Sequence, residues 1–332
     1  MRKNRQKTGK GQIFLIMLCC YMAAAAIMLN ACKTAGPQEQ WLGQDEKAVT
    51  FIWMSDTQRY SEDAPEIFDS MTQWIAAQRE ALNIQYVLHT GDVVDDYDDM
   101  RQWENANKAL AVLQDKVALF VLAGNHDIDG ENQRYDNYLH FLGEEHFDHL
   151  PTFGGAYRGG RGRYDLVEID DVPAILISVG FGVGRGVDDQ AILWMNEVLQ
   201  AHADRYAILC VHSYFNADLS FTPDGAVLFE QVVKKNANIK LVLCGHRYNA
   251  ARKMTELDDN GDGIPDRKVY QLIVNYQAEP QGGAGYLCLL AFSSAKRSIG
   301  IKTYSPYLED YNYYASGTDR EEFILPWDYL PQ

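Results

Sequence analysis

Five short clusters in this 332-residue sequence carry side chains suited to holding metal ions. They are Asp56-Thr57-Gln58, Gly91-Asp92-Val93-Val94-Asp95, Gly124-Asn125-His126-Asp127, the single His212, and Gly245-His246-Arg247-Tyr248. Carboxylate oxygen, amide oxygen and imidazole nitrogen are the donors that hard and borderline divalent ions take. A glycine stands before Asp92, Asn125 and His246. It lets the backbone turn tightly and aim each side chain back towards a common point.

Each cluster follows an apolar run that reads as a strand: Ala48 to Met54, Ile84 to Leu88, Val117 to Leu122, Tyr206 to Val211 and Ile239 to Leu243. Between them lie helical patterns. Pro65 to Leu82 has apolar residues at Ile67, Phe68, Met71, Trp74 and Ile75, and Asp63 and Pro65 are start signals. Another helix closes at Ala109 to Leu113, and a third runs from Asp188 as its cap to Leu199. Tyr164 to Ile169 and Ala174 to Val179 read as a strand pair. After residue 268 the pattern turns to plain strands: Val269 to Val274, Tyr286 to Phe292 and Ile299 to Tyr304. The spacing of consecutive clusters, roughly 33 to 36 residues on either side of one long gap, is that of a βαβ unit. The carboxyl edge of α/β strands is where ligands bind, because the strand-to-helix loops converge there. The fold class is therefore α/β, with mixed sheets flanked by helices.

Charge narrows the partners. The chain carries 30 basic and 46 acidic residues. Five of the basic ones (Arg2, Lys3, Arg5, Lys7, Lys10) and none of the acidic ones fall in the first 31 positions, so the remainder holds 25 against 46, a formal −21. Such a body repels nucleic-acid phosphates, and no nucleic-acid partner is expected. The basic stretch followed by the apolar run Ile13 to Leu29 reads as a signal peptide over residues 1–31, slightly short for a membrane span. It ends in Leu29-Asn30-Ala31-Cys32, which resembles the lipobox of bacterial lipoproteins, although Asn30 departs from the usual small or β-branched residue. The resemblance implies acylation of Cys32 and a membrane contact through a lipid anchor; ordinary cleavage after Ala31 and an uncleaved anchor remain the alternatives. All three readings export the body, to the outer face of the cytoplasmic membrane or the cell envelope. Residues 32–46 then form a tether and 47–332 the folded domain. Beyond the leader only Cys210, Cys244 and Cys288 remain, each in an apolar run, which reads as buried free thiols.

In order and type the five clusters resemble the motifs of the calcineurin-like metallophosphoesterases: Asp-x-His, Gly-Asp-x-x-Asp, Gly-Asn-His-Asp, a lone His, and Gly-His-x-His. The likeness covers about residues 48 to 250 and implies a four-layer α/β/β/α sandwich. It also implies two divalent or trivalent metal ions (manganese, iron or zinc), a phosphate-ester substrate and hydrolysis by metal-bound hydroxide. By this resemblance Asp92 bridges the metals, Asn125, His212 and His246 complete one site, and Asp56 belongs to the other. His126 is the proton donor to the leaving group, oriented by Asp95. Gln58 and Tyr248 stand where most of the class has His, both on the Asp56 metal, so that site is expected to be the weaker. The run Asp-Thr-Gln-Arg-Tyr-Ser-Glu and the later Thr303-Tyr304-Ser305-Pro306-Tyr307 look like an exported bacterial subgroup with Asp-Thr-Gln in the first motif. A non-catalytic, envelope-anchored metal- or ligand-binding relative with a decayed first site is the alternative.

Other groups carry weaker signals. Asp258, Asn260, Asp262, the Ile264 carbonyl and Asp266 have the spacing of an extracellular calcium loop, with Gly263 for the turn; an ordinary acidic turn is the alternative. Arg247 is a candidate for substrate phosphate. Arg158, Arg161 and Arg163 lie in a glycine-rich run that reads as such a contact or as a solvated loop. His89 reads as hydrogen-bonded structure near the site, and His140, His146, His149 and His202 as surface or packing residues. Tyr304, Tyr307, Tyr311, Tyr313 and Tyr314 read as packing.

Overall fold

A computed structural model describes residues 48–132, 134–182, 188–314 and 320–329. The expected leader, the tether and Cys32 lie outside the described residues. Two seven-stranded mixed sheets make up the centre.

The first sheet is built on β1 (Val49–Met54), β2 (Ile84–His89) and β3 (Ala118–Val121), which run parallel. It continues antiparallel from β1 through β11 (Leu287–Ser293) to β12 (Ser298–Ser305), which pairs with β13 (Asp310–Tyr311) and β14 (Phe323–Pro326). The second sheet has the order β4 (Phe153–Tyr157), β5 (Gly162–Ile169), β6 (Val172–Val179), β7 (Tyr206–Val211), β8 (Ile239–Cys244), β10 (Arg267–Asn275), β9 (Asn249–Leu257). There β6, β7, β8 and β10 are parallel.

Side chains alternate across a strand, and the sequence uses both faces. Phe51 and Trp53 on β1, Leu88 on β2, Ile208 and Cys210 on β7, Leu241 and Leu243 on β8, and Leu290 and Phe292 on β11 share one core between the sheets. The other parity of the second sheet, Ala207, Leu209, Val211, Val242 and Cys244, meets Ile192, Met195, Val198 and Leu199 of the helix Asp189–Ala201 and Leu228 to Val233 of the segment after β7. Asp188 caps the helix by accepting from Ala191 N at 2.7 Å. On the other side the helix Pro65–Gln78 packs Trp74 against Tyr304 of β12, ring centres 4.9 Å apart. Helices therefore flank two stacked sheets, as expected. All three cysteines of the body are free and buried.

Some elements differ from the sequence expectation. Pro65–Gln78 stops four residues short of Leu82, where Arg79 and its successors form turns before β2. Gln58 is not in a loop but opens a short helix, Gln58–Asp63. β9 has no counterpart in the apolar pattern, because it is an edge strand with a mostly half-exposed sequence. The acidic run 258–266 is the connection between β9 and β10.

Candidate metal centre

The site sits where the carboxyl ends of β1, β2 and β3 in one sheet meet those of β7 and β8 in the other. Direct bonds join the two sheets. His246 N donates to both Asp56 oxygens (3.2 and 3.1 Å), and His212 Nδ1 lies 2.8 Å from the Thr90 carbonyl. Asp56, Asp92 and His246 all adopt left-handed backbone, with φ of 55°, 55° and 69°. Non-glycine residues tolerate that conformation only where surrounding contacts enforce it. It turns three side chains back into the cleft. The glycines serve less uniformly than the sequence implies. Gly91 does take positive φ, 93°. Gly124 and Gly245 instead provide clearance: a Cβ on Gly124 would overlap the Asp92 carboxylate, and one on Gly245 would overlap Ser55 Oγ and Asp56 Oδ2.

His212 is the hub. A carbonyl can only accept, so a neutral His212 commits its proton at Nδ1 to Thr90 and presents a lone pair at Nε2. That nitrogen faces Asp92 Oδ2 at 3.2 Å, Asn125 Oδ1 at 3.0 Å and His246 Nδ1 at 3.2 Å. Once that ring is neutral, four electron-pair donors converge, Nε2 among them, an arrangement that suits a cation at their centre. Among the described residues, Asp92, His212 and His246 are the group of His, Cys, Asp or Glu whose ligand atoms come together closely enough to hold a metal. The charges agree. Burial alone would lower His212, but Asp92 and Asp56 lift it to about 9, so this negative pocket draws positive charge. Burial, with His212 beside it, holds His246 down at about 4, which leaves a neutral ring with a lone pair. For Asp56, burial dominates and raises the carboxyl to about 7, opposed by His212 and reinforced by Asp92.

A fixed hydrogen-bond chain aims Asp56. Trp53 Nε1, which can only donate, bonds Thr90 Oγ1 (3.0 Å); Thr90 Oγ1 bonds Ser55 Oγ (2.7 Å); Ser55 Oγ bonds Asp56 Oδ2 (2.5 Å). Thr90 therefore orients Asp56 through its hydroxyl and His212 through its carbonyl. His89 lies behind the cluster. Its Nδ1 accepts from Gly91 N at 3.2 Å, so Nε2 carries the proton towards Thr57 Oγ1 at 2.9 Å. Burial presses its pKa to about 3, and it stays neutral. Asp127 locks two motif loops together: its oxygens accept from Val93 N (2.7 Å), Val94 N (2.9 Å) and Gly124 N (2.7 Å).

The remaining sequence candidates fall at graded distances from this hub. Gln58 is buried and touches Asp92, one amide atom 3.3 Å from Oδ2. His126 stands at the edge, its side chain 38% exposed, with its backbone N–H on Asp92 Oδ1 at 2.9 Å. Its Nδ1 lies 2.7 Å from the Asp95 backbone carbonyl and 3.5 Å from the carboxylate. The orienting group is therefore mainly the main chain of Asp95. Burial pulls His126 down, but Asp92 and the Asp95 carbonyl outweigh it and hold the ring above its ordinary value. Tyr248 stands apart on the rim, 59% exposed and within electrostatic reach of Arg59. Arg247 is also exposed, close enough to His246 to depress it. Arg59, which sequence reasoning missed, reaches Asp95 at 3.6 Å and Glu62 at 2.7 Å. Ser55, Thr90 and Gln277 were missed too. The first two are short polar residues at strand ends, a signal the motif order did not use; Gln277 follows β10, whose carboxyl end was read as plain strand.

Groups outside the cleft resolve as follows. Arg163 is buried and forks onto Asp165 (2.7 and 2.5 Å), with Nη1 on the Leu119 carbonyl at 3.1 Å, so it is a structural pair rather than a phosphate contact. Arg158 pairs with Asp188 at 3.5 Å, and Arg161 lies over the Tyr135 ring. In the acidic connection, Asp258 Oδ1 and Oδ2 accept from Gly261 N (2.6 Å) and Gly263 N (2.7 Å), Asp262 Oδ1 from Ile264 N (2.8 Å), and Asp266 Oδ2 from Asp259 N (2.7 Å). Asn260 Oδ1 accepts from Asp262 N at 2.8 Å. Those carboxylates organise the turn. The Tyr304 and Tyr311 rings pack tilted against each other with centres 4.7 Å apart, and the Tyr313 hydroxyl donates to Glu279 at 2.6 Å. No helix among the described residues is long and apolar enough to cross a membrane.

A family model described as calcineurin-like phosphoesterase matches residues 49–248. An uncharacterised protein of Bacillus subtilis (strain 168), YvnB, is 44% identical over 286 residues, which is 85% of this chain and 22% of that protein. A protein of Moraxella catarrhalis (strain BBH18) named as a probable cyclic nucleotide phosphodiesterase is 27% identical over 173 residues, 50% of this chain and 58% of its own length. The chain thus spans about a fifth of the first relative and under two thirds of the second. Among solved structures, a purple acid phosphatase from yellow lupin (Lupinus luteus) seeds superposes with a TM-score of 0.56 at 11% identity, over 84% of this chain and 54% of that one, a likeness of fold.

Proposed function

The chain belongs to the calcineurin-like phosphoesterase family, and on that premise we propose that it hydrolyses a phosphomonoester or phosphodiester outside the cytoplasmic membrane. The observation that carries the reading is the convergence of Asp92 Oδ2, Asn125 Oδ1 and His246 Nδ1 on His212 Nε2 within 3.2 Å. The family implies a dinuclear metal site, and these donors fit one of its ions. When bound, the ions supply Lewis-acid charge against the phosphoryl group. The chain's own residues do the rest. Asp92 offers a carboxylate between the two halves of the site, and Thr90 and Ser55 hold His212 and Asp56 to their aim. His126, fixed at Nδ1 by the Asp95 carbonyl, keeps Nε2 free to hand a proton to the departing oxygen. Among the described residues, Arg247 beside His246 and Arg59 beside Asp95 are cations available to an incoming phosphate. The Moraxella relative's name puts cyclic nucleotides among the diesters to try.

The test uses EDTA-stripped protein resupplied with manganese, iron or zinc, assayed on aryl phosphate mono- and diesters. Turnover that returns with metal and is lost in His246→Ala supports the reading. No turnover in protein holding two metal equivalents would leave the non-catalytic, metal-binding relative in its place.

Two finer parts of the proposal rest on sequence. The lipobox-like Leu29-Asn30-Ala31-Cys32 places an acyl anchor on Cys32, a tether after it and the domain from residue 47 on the outer face of the membrane. Cys32→Ser should release the protein from membranes or stall its maturation; a wild type that never fractionates with membranes removes the anchor. The spacing of Asp258, Asn260, Asp262 and Asp266 makes the β9–β10 connection a calcium loop, and its carboxylates already line the turn.

A further inference from the structure

The half of the centre around Asp56 lacks both imidazoles usual in the family, and the structure brings a residue to it from outside the five motifs. Gln58 has two neighbours of opposite character. With its amide in one orientation, Nε2 donates to Asp92 Oδ2 at 3.3 Å and Oε1 is left facing acceptors alone. The reverse orientation gives both ends sensible partners. Nε2 then meets the carbonyl oxygens of Asp56 (2.9 Å) and Asp92 (3.1 Å) and Gln277 Oε1 (3.1 Å), and Oε1 accepts from Gln277 Nε2 at 3.3 Å. In that orientation the Gln58 oxygen takes the place beside Asp92 Oδ2 and also abuts Gln277 Oε1. An amide oxygen set beside a carboxylate oxygen is a repulsion that a positive ion relieves, and the Gln277 amide, lying against the same Gln58 oxygen, can turn its own oxygen to that ion.

Gln277 is held there by its surroundings. It follows β10, another strand whose carboxyl end reaches this edge, and β10 lies beside β8 with Ile273 opposite Cys244, just before Gly245 and His246. Gln277 N donates to Asn275 Oδ1 at 2.8 Å. The chain then runs through five consecutive left-handed residues, Gln281 to Ala284 and Gly285, with φ between 46° and 92°. This segment lies against the helix that carries Gln58: a Cβ on Gly282 would come 2.8 Å from Arg59 Cβ, and Gly285 N donates to the Tyr60 hydroxyl at 2.9 Å. Loop and helix are clamped together, so the two amides meet by construction.

We propose that Gln277, with Gln58, Asp56 and Asp92, forms an oxygen-only site for the second metal, in place of the missing imidazoles and of Tyr248. The inference rests on reading this centre as a two-metal site. It makes the centre asymmetric in kind. The His212–His246 half offers imidazole nitrogen and takes zinc or iron readily, whereas an all-oxygen half selects a hard ion such as manganese or magnesium.

Metal binding tests this without recourse to activity. Stripped full-chain protein is titrated with Mn2+, with free ion followed by electron paramagnetic resonance and bound metal counted after gel filtration. The wild type should take two equivalents, one tight and one weaker. Gln277→Ala should weaken the second by at least about tenfold and leave the first unchanged, which also reports that the variant is folded. Gln277→Glu should retain both, and Gln277→His should shift the second site's preference towards zinc. A Gln277→Ala protein that binds both equivalents as the wild type does, or a wild type that takes only one at saturating Mn2+, overturns the assignment. Two equivalents bound with no ester turned over would instead sink the enzymatic reading and leave this ligand set standing.

Discussion

At the scale of single residues, geometry separates His126 from the histidines around it. His212 and His246 turn their lone pairs inward, whereas His126 spends Nδ1 on the Asp95 carbonyl and leaves its other nitrogen at the mouth. A proton donor matters most when the leaving oxygen is poor. His126→Ala should therefore lower kcat for alkyl phosphate esters by about 10²- to 10⁴-fold, with a much smaller loss for nitrophenyl esters, whose phenolate leaves unaided. The check is a plot of log kcat against leaving-group pKa for both proteins, with metal content measured alongside. Parallel lines would show that His126 acts on binding or metal retention and not on the departing group. Orientation by a backbone carbonyl also means that Asp95→Asn should preserve most of this difference in slope.

At the scale of elements, the site depends on two sheets meeting at a fixed offset. One buried polar pair helps set it. Arg163 on β5 forks onto Asp165 and reaches the Leu119 carbonyl on β3, and Tyr86 of β2 donates to Asp165 at 3.3 Å. Both charged side chains are nearly inaccessible, 4% and 0% exposed. Removing one partner strands the other as an unpaired buried charge, which costs about 3–5 kcal/mol, whereas replacing both with apolar groups is often neutral. Arg163→Met should lower unfolding free energy in urea by that amount, and Arg163→Met with Asp165→Leu should recover most of it. A single variant that loses less than about 1 kcal/mol, the scale of an exposed pair, would mean that the pair does not brace the sheets.

At the scale of the whole molecule, the domain is strongly acidic, and its β9–β10 connection gathers Asp258, Asp259, Asp262 and Asp266 at the surface. Calcium bound there only in the folded state would stabilise the entire domain by mass action, about 2.7 kcal/mol at a hundredfold excess over Kd. Millimolar calcium should accordingly raise the melting temperature of the wild type. Asp262→Ala should abolish that rise while aryl phosphate turnover stays measurable, since the loop is remote in sequence and bonding from the metal cluster. A melting temperature indifferent to calcium would leave the segment as a turn held by its own backbone N–H groups.

The sequence by itself determined a great deal here. Apolar runs of strand length, each ending in a chelating cluster, specified the parallel strands and the edge at which they act, because side-chain period and strand polarity are local properties. It likewise marked Asp92, Asn125, His212 and His246 as one set, and tertiary structure gathers them within bonding distance. Tertiary structure alone decided what reaches the cluster from afar. The edge strand β9 carries no apolar pattern, since an edge half-exposed to water does not need one. Tyr248, two residues beyond His246, faces solvent because the left-handed turn at His246 redirects the chain after it. Gln277, some 220 residues from Gln58, arrives beside it because β10 lies next to β8 and a left-handed loop clasps the Gln58 helix. Nothing local in either glutamine encodes that meeting; it follows from the register of two packed sheets.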